Sequence, residues 1–192
     1  MFKRIIGFFK KVPQNGYLAS HGYYRSFDRK QRVKTYGKYP YLPYSLYDFL
    51  KSRPVKNKHV LVLSHGDTAR WFYHNGRNTV SLGRPHKNKN GNPSRSLNYL
   101  DSVRDYTGEA LDLLIVDGNM DAASWEHLKG FLKPDSVLIV VHSRYKERSR
   151  CVAMEQDLFE NKAKVLAFCN PAPAVDELFA ELYYNNENFL GI

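Results

Sequence analysis

The chain has 192 residues, 43% hydrophobic, 14% aromatic and 25% charged, with 29 Lys and Arg against 19 Asp and Glu for a net charge of +10. Those values describe one globular domain around a single core and exclude a disordered or fibrous chain. The two cysteines, Cys151 and Cys169, cannot staple a chain of this size and lack the spacing of a zinc or redox pair. They are read as free thiols of a reducing compartment, and no metal site is implied.

Charge divides the chain unevenly. Residues 1–60 hold 14 of the Lys and Arg but only two acids, Asp28 and Asp48. Such a cationic first third suits contact with a membrane surface or a phosphate-bearing ligand, and a solvated basic face is the plain alternative. Residues 1–38 are expected to form a basic, aromatic-rich N-terminal extension and residues 39–192 an α/β domain. Within the extension, Phe2, Ile5, Ile6 and Phe9 fall at helical spacing among Lys3, Arg4, Lys10 and Lys11. A short basic amphipathic helix over residues 1–11 can make peripheral membrane contact; the same stripe suits packing onto the domain or onto a neighbouring subunit of a homo-oligomer. The apolar run is too short for a signal peptide, and no stretch approaches the ~20 apolar residues of a membrane span, so the expected location is cytoplasmic. Eight tyrosines between Tyr17 and Tyr47 alternate with basic residues. Without an RGG-like repeat or the aromatic motif of an RNA-binding sheet, nucleic acid is not the expected partner.

From Pro43 the pattern becomes regular. Leu46, Phe49 and Leu50 mark one face of a short helix closed by Pro54. His59 to Leu63 is a strand-length apolar run, Thr68 to His74 a helix, and Asn78 to Leu82 a second strand. Pro85 to Ser94 reads as a polar loop and Ser96 to Tyr106 as a helix. Leu111 to Val116 is a buried strand ending in Asp117-Gly118, Trp125 to Phe131 a helix, and Ser136 to Val141 another buried strand. Asn170-Pro171-Ala172-Pro173 is expected as a rigid turn, and Phe179 to Tyr184 as a terminal strand. Alternating strands and helices predict a mostly parallel sheet covered on both faces, with ligands at the carboxyl ends of its strands.

Tyr39-Pro40-Tyr41-Leu42-Pro43-Tyr44 leads into a helix, a strand, a glycine turn and an aromatic helix with Trp71 and Phe72. Asp112 to Gly118, a Lys133-Pro134-Asp135 turn before a strand, and the close Asn185 to Ile192 complete the series. Over residues 20–192 this order resembles the small class I S-adenosylmethionine-dependent methyltransferases, in a subgroup linked to glycan biosynthesis. The resemblance implies a Rossmann-like, methyltransferase-type sandwich with S-adenosylmethionine as cofactor. Ser64, His65, Gly66, Asp67, Gly83 and Asp117 would hold the cofactor. Asp117 and His142 would orient or deprotonate a hydroxyl of a glycan or small-molecule acceptor. Four positions depart from the family pattern. Val62 stands where the first strand usually carries an acid, Ser64 replaces the first glycine of the turn, and Gly83-Arg84 stands where an acid accepts the ribose hydroxyls. The acidic position after the later strand is His142.

Two other functions remain open at this level. The fold can persist without catalysis and bind a partner, or an anion at a cationic edge of His65, Arg84 and His142. Leu63-Ser64-His65-Gly66 is also similar to the Arg-His-Gly signature of histidine phosphatases, with His142 as a second histidine, although Ser64 replaces the arginine that would clamp phosphate.

Overall fold

The computed structural model describes residues 16, 18–23, 39–53, 57–63, 66–75, 78–81, 103–104, 106–117, 120–142, 152–173 and 175–192. The expected helices over residues 1–11 and most of 96–106, the loop over 85–94, and Ser64, His65, Gly83, Arg84 and Cys151 lie outside these.

Helix α1 (Tyr44–Lys51) begins after Pro43, whose φ of −51° suits a helix entry and whose missing N–H costs nothing there. Strand β1 (His59–Leu63) leads into α2 (Gly66–His74), and β2 is Asn78–Ser81. Strand β3 (Leu111–Asp117) is followed by α3 (Ala122–Lys129), which Asp121 caps by accepting the Ser124 N–H at 2.7 Å. Strand β4 (Leu132–His142), α4 (Val152–Glu160), β5 (Lys164–Ala172) and β6 (Val175–Tyr184) complete the order.

The six strands form one sheet in the order β2-β1-β3-β4-β6-β5. Strands β2, β1, β3 and β4 pair in parallel, and β6 lies antiparallel between β4 and β5. Adjacent strands therefore step outward in both directions from the β1–β3 pair. One face buries Val60, Val62, Leu113, Ile115 and Ile139 against α1 and α2. The other buries Leu61, Leu114, Val116, Leu138 and Val140 against α3 and Met154 of α4. Apolar residues at both parities are what a parallel sheet covered on both faces requires. Each fully buried aliphatic side chain contributes roughly 1.5–3 kcal/mol.

Residues 18–23 pack into the first face. Tyr23 donates its N–H to Leu18 O at 2.8 Å and Gly22 donates to Ala19 O at 3.2 Å. Gly22 has a φ of +71°, so this turn closes as a Schellman motif in a backbone region that favours glycine. Leu18 is fully buried, and the Tyr23 ring stacks on Tyr44 with centroids 4.3 Å apart.

Two expected turns are absorbed by strands. Leu111 pairs with Leu132 and Leu113 with Val137, so Lys133-Pro134-Asp135 is a bulge within β4 rather than a turn before it. Ser136 Oγ donates to Leu111 O at 2.6 Å and holds the bulge against β3. Asn170 to Ala172 belong to β5, where the register shift between Asn170 and Ala172 accommodates the missing Pro171 N–H near the hairpin. Helix α4 and strand β5 have no counterpart in the sequence reading. Val152, Phe159 and Val165 are exposed there, which blurs the hydrophobic period.

Candidate functional site

Strand β1 pairs with β2 on one side and with β3 on the other. In an open α/β sheet the crevice outside the carboxyl ends of such a pair is the ligand position. Gly66 and Asp67, in the first turn of α2, follow the carboxyl end of β1. Asp67 is 4% exposed and Thr68 is fully buried. The positive end of the α2 dipole favours a carboxylate at that point. Thr68 Oγ1 accepts the Tyr41 N–H at 3.0 Å, which fastens the aromatic segment preceding α1 over the start of α2. Asp117 ends β3, opposite Val141 of β4, and His142 ends β4 one residue further on. The backbone thus brings Gly66, Asp67, Asp117 and His142 to one edge of the sheet.

His142 enters a second arrangement that the sequence reading missed. Its Nε2 lies 2.8 Å from Glu181 Oε2, and Tyr183 donates its hydroxyl to the same oxygen at 3.1 Å. The antiparallel register explains the grouping: His142 faces Phe179 and Val140 faces Glu181, so Phe179, Glu181 and Tyr183 rise from one face of β6. An acid at every-other-residue spacing from two aromatics, in the run Leu178 to Tyr184 that is otherwise apolar or aromatic, was the available signal. Beneath α4 these groups line a cleft of about 310 Å³, with Leu158, Phe159 and Val165 on its apolar side and Glu155 among its polar groups. His142 Nε2 is thus engaged by the Glu181 carboxylate, and the other two members of the expected cationic edge, His65 and Arg84, lie outside the described residues. Among the described residues no group of three or more His, Cys, Asp or Glu could hold a metal ion. No helix among them is long and apolar enough to cross a membrane.

Gly66 and Asp67 at the start of α2 and Asp117 at the end of β3 are the residues that would hold the ammonium and sulfonium end of S-adenosylmethionine, since their backbone positions share the edge where such a cation would be met by acids. At the ribose end, residues 78–84 offer no carboxylate. Residues 78–84 read Asn-Thr-Val-Ser-Leu-Gly-Arg. Val62, at the family's acidic position, is fully buried in the core with Val60 and Ile115.

The strand order, with one antiparallel strand inserted beside the last edge strand, defines a Rossmann-like α/β sandwich of the methyltransferase type. No protein-family model matches the chain, and no curated protein sequence does. Among solved structures, the chain is similar to a precorrin-6y C5,15-methyltransferase from Geobacter metallireducens, at 10% identity and a TM-score of 0.47 over 74% of this chain and 86% of that one. It is similar to a methyltransferase from Streptococcus mutans in complex with S-adenosylhomocysteine, at 11% identity and a TM-score of 0.46 over 75% and 98% of the two chains. Magnesium protoporphyrin IX methyltransferase from Synechocystis, with bound S-adenosylmethionine, aligns at 11% identity and a TM-score of 0.45 over 74% and 77%.

Proposed function

We propose that the protein is an S-adenosylmethionine-dependent O-methyltransferase of the cytoplasm acting on a hydroxyl of a small molecule or glycan. The observation that carries this reading is the convergence of Gly66, Asp67 and Asp117 on the edge outside β1 and β3, with His142 one strand away. When bound, the cofactor supplies an electrophilic methyl group. This chain contributes a carboxylate at Asp117 to orient the ligand and, at His142, a ring able to accept a hydroxyl proton. Residues 1–11 would supply any peripheral membrane contact or subunit contact.

Calorimetric titration with S-adenosylmethionine and S-adenosylhomocysteine tests the reading. Saturable binding near micromolar, about −8 kcal/mol, weakened at least tenfold by Asp117→Asn, is the expected result. No binding at millimolar ligand would overturn it. That outcome would favour a second reading, a non-catalytic member of the fold, for which the absence of a carboxylate from residues 78–84 is the specific observation.

A further inference from the structure

The cleft beneath α4 has the composition of a small-molecule site. Ligand pockets combine apolar and aromatic walls with a few aimed polar groups, at volumes of roughly 300–1,000 Å³. At about 310 Å³ this cleft accommodates one or two rings. Two of the four exposed large hydrophobics among the described residues, Phe159 at 85% and Val165 at 50%, border it. Phe179 lines the same cleft, its ring centroid 5.4 Å from that of His142.

The polar side is arranged to accept a proton. An ionised carboxylate only accepts hydrogen bonds, so His142 Nε2 carries the hydrogen given to Glu181. In the neutral ring Nδ1 is then the acceptor, and no described residue donates to it. Tyr183, bonded to the same Glu181 oxygen, holds that carboxylate in place, as a carboxylate partner holds the tautomer and orientation of a functional histidine. The described lining holds two carboxylates, Glu155 and Glu181, and no lysine or arginine, which disfavours an anionic ligand.

We infer that this cleft binds a small aromatic compound bearing a neutral hydroxyl, its ring against Phe159 and Phe179 and its hydroxyl donating to His142. As a statement about the methyl acceptor, the inference rests on the function proposed above; as a statement about binding, it stands alone.

The test is ligand-observed saturation-transfer NMR on the full chain with 2-naphthol, 2-methoxynaphthalene and 2-naphthoate, with S-adenosylhomocysteine titrated into a parallel sample. The expected result is 2-naphthol binding at least tenfold tighter than either analogue. Glu181→Gln should weaken 2-naphthol about tenfold with little effect on the methyl ether. Phe159→Ala, at an exposed position that leaves folding intact, should weaken both. Equal affinity for 2-naphthol and its ether, tighter binding of the naphthoate, or no binding overturns the site. So does a dimer dissolved by Phe159→Ala in a protein that binds no naphthol. Naphthol selectivity without S-adenosylhomocysteine binding supports the site while overturning the methyltransferase reading. S-adenosylhomocysteine binding without naphthol selectivity does the reverse.

Discussion

Lys133 Nζ lies 2.8 Å from Asp112 Oδ1, so the bulge in β4 is tied by an ion pair to the amino end of β3. The Asp112 side chain is 4% exposed, and its other oxygen accepts the His59 N–H at 2.8 Å, with Lys58 3.6 Å from Oδ1. One carboxylate therefore organises the starts of β1, β3 and β4.

Asp112 should contribute to the acid limb of stability. Burial pushes its pKa up, but the hydrogen bond from Lys133, the His59 N–H and the charges of Lys133 and Lys58 outweigh burial and hold it below the usual carboxylate range. The folded pKa being depressed, the contribution is present above the unfolded value of about 3.9 and is lost as pH falls through the folded pKa. Asp112→Asn should destabilise at pH 7 by about 2 kcal/mol. Its denaturant midpoint should change less than the wild-type midpoint does below about pH 4. Equal slopes in that range would contradict the assignment.

The Tyr23 stack should be separable into ring and hydroxyl. Its ring lies 4% exposed against Tyr44, with the edge of Tyr47 5.7 Å away, and its hydroxyl donates to Asp48. Tyr23→Phe should cost about 1 kcal/mol and Tyr23→Ala about 3 kcal/mol in thermal unfolding. A near-neutral Tyr23→Ala would mean that residues 18–23 do not belong to the cooperative core.

Capping of α3 predicts a graded series. Asp121 is held below the usual carboxylate range first by the Ser124 backbone N–H and further by Arg104, whose guanidinium is 2.6 Å away. Asp121→Ala should cost about 1 kcal/mol, and Asp121→Asn, still an N-cap residue, a few tenths. Equal losses for both would place the stabilisation in the exposed ion pair instead.

Thr68 links packing to the proposed crevice. Thr68→Val removes the acceptor of the Tyr41 N–H and should cost about 1–2 kcal/mol. Thr68→Ser, which keeps the oxygen, should cost less. If the segment around Tyr41 covers the ligand crevice, S-adenosylhomocysteine affinity falls in the valine variant and recovers in the serine variant. Unchanged affinity in both would detach that segment from ligand binding.

Sequence alone determined the parts whose hydrophobic pattern is local. His59 to Leu63 and Leu111 to Val116 read as buried strands because all but His59 and Asp112 are apolar, and Val60 to Leu63 pairs with Leu113 to Val116 in the sheet. It also determined that residues 78–84 bring no carboxylate. Only the tertiary structure decided which carboxylate His142 meets. Glu181 is 39 residues away and reaches it because β6 runs antiparallel to β4 with His142 opposite Phe179. Register between distant strands is set by the packing of both faces, so no local window contains it. The same reason governs β4: Lys133-Pro134-Asp135 carries turn chemistry, but pairing with β3 through Asp112 and Leu111 holds those residues in the strand.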